Sequence, residues 1–244
     1  MAKVKIIMEA DGVLLIDKPS GCTSHDVVDY VRNRFHFKKV GHCGTLDPLA
    51  TGLLMLVIGK ATKIQDLLMA EDKEYAGTMK LGVTTDSQDA DGKTLEEKPV
   101  PPLTREQFEA AFQKYTGDFY QIPPMVSALK QQGVPLYKLA RAGKTVVREP
   151  RLVHIGRYVI DDVTLPLVKF RIQCSKGFYV RTYCHDIGHD LGCGAHLVQL
   201  SRLKSGNFSL ERALSWEALQ KVTDGHALLP SLLTLPEVSR LRRQ

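Results

Sequence analysis

The sequence predicts an α+β fold built on a mixed, largely antiparallel sheet. Three features carry that expectation. Strand-like and helix-like segments follow one another without the regular strand–helix–strand rhythm of a doubly wound parallel sheet. Residues 151–175 alternate, with Phe170, Ile172 and Cys174 on one side and Lys169, Arg171 and Gln173 on the other, the period-two pattern of half-buried strands. No glycine-rich phosphate loop joins a strand to a helix: GKATK at 59–63 lacks the GxxxxGK[ST] lead-in, and no GxGxxG follows a strand.

Taken in order, GVLLIDKPSG reads as a short strand stopped by a Pro-Ser-Gly turn. In TSHDVVDYVRNRF, Ser24 is the expected N-cap of a helix that places Val27, Val28, Val31 and Phe35 on one face. LLMLVIG (53–59) is a buried strand, and KEYAGTMKLGV (73–83) is another. The polar run TTDSQDADGKTLEEKPVPP is expected to be a loop or extended excursion at the surface. A capping box from Thr104 to Gln107 opens a helix carrying Phe108, Ala111, Phe112 and Tyr115, with Gly117 as its end. PLYKLARAG is a short helix stopped by Gly143. FYVRTYCHDIGHDLG is a helix ending at Gly192, LVQLSRLKSGNF returns as a strand, and Ser215 caps a last amphipathic helix, WEALQKV. The tail HALLPSLLTLPEVSRLRRQ reads as a linker or short terminal strand.

Composition limits the function classes. The 244 residues, 43% hydrophobic and 25% charged, can build a substantial core in one large or two small domains. Lys and Arg outnumber Asp and Glu by 33 to 27, and the net +6 favours an anionic partner without naming it. No apolar run reaches the length of a membrane span. The N-terminus, MAKVKIIMEADG, is broken by Glu9 and Asp11 and is not a signal peptide. The five cysteines are odd in number and lack CxxC spacing, which points to reduced thiols in a cytoplasmic protein.

Four constellations could carry chemistry. The first is GHCGTLDPLATG (41–52), which sets Asp47 in a glycine-studded loop just ahead of an apolar strand. Glycines allow a ligand close to the backbone, and the strand would hold the carboxylate in place. Asp-Pro in such a loop is also an ordinary turn. The second is Arg181 in SKGFYVRTYCHDIG, flanked by Phe178, Tyr179, Val180 and Tyr183. So apolar a setting is costly for a cation without an anion, and Asp47 or Asp186 could supply one. The third is Cys184, His185, His189, Cys193 and His196, a set zinc would accept, although no two cysteines have ligand spacing and core packing explains the thiols as well. The fourth is a scatter of basic residues, Lys60, Lys63, Lys130, Lys138, Arg141, Lys144, Arg148, Arg151, Arg202 and Lys204, with Tyr75, Tyr137 and Tyr179 among them. Such a surface tracks phosphates and stacks bases, or is simply a solvated face.

These segments together resemble the TruB family of tRNA pseudouridine synthases, from LLIDKPSGCTSHDVV through to LGCGAHLVQLSRLKSGNFS. GHCGTLDPLATGLLMLVIGKATK is similar to the family's catalytic motif, usually written GHTGTLDPLATG. KEYAGTMKLGVTTDSQDADG, QIPPMVSALKQQGVPLYKLARAG and GFYVRTYCHDIGHDLGCGAHLVQLSR resemble its other segments. The resemblance implies the pseudouridine synthase fold, with helices and loops around the sheet and a central RNA-binding cleft. It implies isomerisation of uridine in the T loop of tRNA, at tRNA position 55, by base flipping and an Asp nucleophile, with no metal and no nucleotide cofactor.

Residue by residue, it makes Asp47 the nucleophile, Arg181 its ion-pair partner and Tyr75 the ring that stacks on uracil. Tyr179 and Leu200 would line the pocket, His42 would meet T-loop nucleotides, and Lys18 would help shape the site. Lys63, Lys130, Arg141 and Arg202 would contact RNA. The partner implied is the T-arm stem-loop, bound by a monomer. Cys43 stands where the family usually has Thr, a departure expected to tune the site at most. The expected organisation is a catalytic domain over 1–225 and a short tail over 226–244, with the family's C-terminal PUA-type domain absent or vestigial. Two other readings stay open: a non-catalytic RNA-binding protein or tRNA-folding chaperone on the same fold, and a zinc hydrolase.

Overall fold

The computed structural model describes residues 7–243. Most of the N-terminal apolar piece and the last residue of the tail lie outside that range. The chain divides into two units, one formed by residues up to Lys73 together with Ser201 onward, the other by Glu74–Leu200. Both mix strands and helices, as expected.

In the first unit the strand Gly12–Lys18 runs antiparallel to Thr51–Ile58, from Gly12 opposite Ile58 to Lys18 opposite Gly52. Val40–Cys43 adds an antiparallel neighbour to Thr51–Ile58, and Ser201 and Arg202 pair parallel to its start. LLMLVIG shows no alternation because both of its faces are covered. Leu53, Met55 and Val57 pack with Val13, Leu15, Cys43, Ala61, Leu68, Phe208 and Val238. Leu54 and Leu56 are buried on the other face, as are Leu14 and Ile16 from the neighbouring strand.

The first helix spans Ser24–Arg34 and buries Val27, Val28 and Val31, but its N-cap is Thr23, in a reciprocal capping box with Asp26. Ser24 does not cap. Its hydroxyl instead exchanges hydrogen bonds with the backbone of Leu46, donating to O at 3.0 Å and accepting from N at 2.8 Å. The tail holds a terminal helix, Leu235–Arg243, as well as a two-residue strand, Leu232–Leu233. Thr234 and Glu237 cap that helix reciprocally, and Val238 anchors it in the core.

In the second unit the strands run in the order Lys73–Leu81, Leu167–Cys174, Arg151–Thr164, Gly117–Gln121. The last two pairings are antiparallel. Val168, Phe170, Ile172 and Cys174 are buried and the residues between them exposed, so the alternation predicted over 151–175 holds in Leu167–Cys174, while irregularities between Ile155 and Arg157 and between Ile160 and Asp162 break it in Arg151–Thr164. Their inner face meets an aromatic cluster: Tyr183 lies with its ring centroid 5.6 Å from Phe112, 5.9 Å from Phe170 and 5.6 Å from Phe178. Gly77 is glycine because a Cβ there would sit 2.6 Å from the Phe170 ring.

The helix Arg105–Gln113 carries the predicted Thr104–Gln107 box but stops four residues before Gly117, which begins the next strand at φ +80°. The polar run after Val83 is only partly a surface excursion. It forms a hairpin of Val83–Thr85 with Thr94–Glu97, and Thr85, Ser87 and Asp89 at its turn are buried.

Candidate active site

The Asp47 loop belongs to the first unit and is held from several sides. Pro48 receives the Gly21 amide at 2.8 Å, the Ser20 hydroxyl donates to the Leu49 carbonyl at 3.1 Å, and Ser24 grips Leu46 as described. Inside the loop the Ala50 amide donates to the Asp47 carbonyl at 3.1 Å, closing a turn over the Asp-Pro pair. Asp47 itself is partly buried.

Two cations brace this loop. Lys18 is completely buried, and its Nζ donates to the carbonyls of Pro19 at 2.8 Å, Cys22 at 2.7 Å and, more loosely, Pro48 at 3.5 Å. Burial pulls its pKa below the usual lysine range, while Cys22, Asp47 and Asp26 pull the other way. Arg202 is 1% exposed and donates from Nε to the Leu53 carbonyl at 2.7 Å and from NH2 to the Gly44 carbonyl at 3.1 Å. Each charge-assisted bond of this kind contributes about 1.5–3 kcal/mol, enough to offset much of the cost of burying the guanidinium. The sequence grouped Arg202 with surface cations. It lies instead buried within the strand Ala195–Ser205.

His42 sits opposite Leu56 in Val40–Cys43, half buried, with an Nδ1 that finds no hydrogen-bond partner among the described residues. Burial, then Arg202 and His25, push its pKa below the ordinary histidine value, so its ring is neutral at pH 7. Cys43 is buried in the core cluster and its thiol is pushed up to about 12, which makes it an inert filler beside the loop. Lys63 is exposed on the 3-10 turn Gly59–Ile64 and lines a cavity of about 450 Å³ with Lys38, Lys39 and Lys60.

The second unit holds the other predicted residues. Arg181 lies in the first turn of the helix Val180–Asp190 and is 3% exposed. Its NH1 donates to the Ser87 carbonyl at 2.8 Å and its NH2 to the Val126 carbonyl at 2.7 Å, while Nε lies 3.6 Å from Oδ2 of Asp89. Within this unit the carboxylate beside Arg181 is therefore Asp89, not Asp186. Asp89 is tied in turn to the Ser87 hydroxyl and to the Asp91 amide at 3.2 Å, and its carbonyl accepts from Thr85 Oγ1 at 2.7 Å.

Tyr179 forms the N-cap of the same helix, and the Gln121 side chain clamps its backbone: Nε2 donates to the Tyr179 carbonyl at 3.1 Å and Oε1 accepts its amide at 2.8 Å. Tyr75, in Lys73–Leu81, and Leu200, in Ala195–Ser205, are each 9% exposed. Lys130 and Arg141 are exposed, with Arg141 5.7 Å from the centroid of the Tyr137 ring.

Asp89 and Gln121 escaped the sequence reading. Asp89 stands in a run of polar residues with nothing to separate a buried carboxylate from a solvated one, and Gln121 precedes Ile122 and two prolines as an unremarkable strand end. Among the described residues no group of three or more His, Cys, Asp or Glu side chains could hold a metal ion, and no helix is long and apolar enough to cross a membrane.

A family described as TruB family pseudouridylate synthase (N terminal domain) matches residues 32–180, and one described as tRNA pseudouridylate synthase B C-terminal domain matches residues 181–236. The protein named tRNA pseudouridine synthase B of Opitutus terrae is 50% identical over 232 residues, 95% of this chain and 92% of that one. Its namesake of Geobacter sulfurreducens is 47% identical over 224 residues, 92% of this chain and 74% of that one. Among solved structures, a chain from the crystal structure of a Cbf5-Nop10-Gar1 complex superposes with a TM-score of 0.73 at 25% identity over 94% of this chain. This chain spans 62% of that one.

Proposed function

The chain belongs to the TruB family of pseudouridylate synthases, and from that premise we propose that it isomerises a uridine of the tRNA T loop, at tRNA position 55, with Asp47 as the nucleophile. The bond between N1 of uracil and C1′ of ribose breaks, the freed base turns in the site, and C5 joins C1′. The C5 proton leaves and N1 gains one, so no external group, oxidant or phosphate donor is consumed. An anionic nucleophile divides this change into easier steps through a covalent adduct. A stacked uridine is out of reach of any side chain, so it is flipped out first.

The observation that carries the reading is the Asp47 loop. A partly exposed carboxylate stands at the middle of a segment whose flanking carbonyls are bound by Lys18, Ser24 and Arg202. Preorganisation of that kind suits a reacting group better than a solvated turn. From the family resemblance we assign Arg181 as the cation that keeps Asp47 ionised, Tyr75 as the ring that stacks on uracil, and Tyr179 and Leu200 as pocket walls. His42, neutral by its surroundings, meets T-loop nucleotides as a hydrogen-bonding group. Lys63, Lys130 and Arg141 hold phosphates of the T arm. Lys18 and Arg202 serve the loop and not the RNA. The protein acts as a monomer in the cytoplasm, where its five thiols stay reduced.

The test is tritium release from a T-arm stem-loop whose target uridine is labelled at C5, since the new bond displaces that hydrogen. Wild-type protein releases it, and Asp47→Asn binds the stem-loop but does not. An active Asp47→Asn protein overturns the nucleophile. Release from full-length tRNA but not from the arm overturns the arm as a sufficient substrate. Silence on both leaves an RNA-binding or tRNA-folding protein on this fold.

A further inference from the structure

We propose that Arg202 is a positioning residue for Asp47: its guanidinium fixes the distance between the two ends of the loop that carries Asp47, and turnover depends on it through that loop alone. This rests on the reading of Asp47 as the reacting carboxylate.

The two hydrogen bonds of the guanidinium end on carbonyls that bracket Asp47, Gly44 on one side and Leu53 on the other. One planar, rigid group thus spans both stems of the loop, which a lysine ammonium could not do. Glycine stands at both places where the arginine passes. At Gly52, with φ +97°, a Cβ would lie 2.5 Å from the Arg202 carbonyl oxygen and 2.7 Å from its amide nitrogen. At Gly44, with φ +87°, a Cβ would lie 3.2 Å from Arg202 NH1. At Gly52 the loop backbone is drawn against the Arg202 backbone more closely than any side chain allows, and at Gly44 a side chain would crowd the guanidinium. The strand register adds to this, since Arg202 pairs directly with Gly52. Lys18 acts at a third point by donating toward the Pro48 carbonyl, the residue after Asp47. Arg202, only 1% exposed, has almost no free surface to offer a substrate. A misplacement of about 1 Å in a reacting group can cost on the order of a hundredfold in rate, so loosening the stems shows in kcat.

Arg202→Lys keeps the charge and can hold one stem at most. The expected result is a fall in kcat of about tenfold or more, with KM for the T-arm stem-loop within about threefold of wild type, and faster amide exchange over residues 44–53 only. A merely structural arginine would lower the fraction of folded protein and leave the kcat of the folded fraction unchanged; that result, or a KM rise with normal kcat, overturns the proposal. Amide exchange on the wild-type protein tests it without any variant: if residues 44–53 exchange as fast as an unprotected loop, nothing clamps them and the proposal falls. Asp47→Asn is measured alongside. Activity there overturns the reading of the nucleophile, whereas an inactive Asp47→Asn beside a fully active Arg202→Lys overturns the positioning role alone.

Discussion

Arg181 and Asp89 form a buried ion pair in the second unit, with Nε 3.6 Å from Oδ2 and side chains only 3% and 7% exposed. The carboxylate is itself fixed by the Ser87 hydroxyl and the Asp91 amide, and the guanidinium by the carbonyls of Ser87 and Val126. Arg181 is therefore held by its own unit before any substrate arrives, which suits a group assigned to steady an anion.

Asp89→Asn keeps the shape and removes the charge. It replaces the anion beside Arg181 with a neutral amide, and breaking a buried ion pair costs up to about 3–5 kcal/mol where nothing relaxes. Asn can still accept from Ser87 and Asp91, so the expected loss is smaller, about 1–3 kcal/mol. Thermal unfolding should show that drop, and tritium release by the folded protein should fall about tenfold or more. Unchanged activity would mean that Arg181 needs no brace.

Arg181→Lys should lose most activity for a geometric reason. The guanidinium reaches three protein groups in different directions, and a single ammonium on a flexible stem cannot reproduce that fork. Near-normal turnover by this variant would remove Arg181 from the reaction.

The sequence made the fold readable wherever one local signal dominated. Alternation set out Leu167–Cys174, and the Thr104–Gln107 box opened Arg105–Gln113. Where two signals competed, the wrong one was easy to choose. Thr23 and Ser24 are both capping residues, and only the reach of Thr23 to Asp26 decides between them, because Ser24 is occupied by Leu46 some twenty residues away. Gly117 looks like a helix stop, yet its positive φ starts a strand. The terminal helix was legible in TLPE, a capping box with proline in its first turn, but a leucine-rich setting hid it. Arg202 and Asp89 were beyond reach, since burial of a charged side chain is decided by residues distant in sequence.

Burial raises Asp186 to a pKa of about 6, with Asp190 adding to the effect and His189 and Lys114 opposing it. The folded state thus binds this proton more tightly than the unfolded chain, whose carboxyl titrates near 3.8. The stability it contributes is full below that value and is lost as pH rises through about 6. Asp186→Asn should therefore melt higher than wild type at pH 7.5, by no more than about 3 kcal/mol at roughly 2–4 °C each, and the advantage should shrink toward pH 4.5. An advantage independent of pH would mean that packing and not charge sets the effect.

Salt separates the two kinds of cation in the first unit. Lys63 is exposed beside Lys38, Lys39 and Lys60, and each phosphate contact releases counterions, so binding of the T-arm stem-loop should weaken steeply with added salt. Removing one such contact in Lys63→Ala should weaken binding and reduce the slope of log K against log salt by about 1. Arg202→Lys should leave that slope unchanged, because a side chain bound to the carbonyls of Gly44 and Leu53 has no phosphate to neutralise. Fluorescence titrations of the stem-loop at several salt concentrations measure both. A slope that falls in Arg202→Lys would return this residue to the RNA surface, and a slope unmoved by Lys63→Ala would take Lys63 off it.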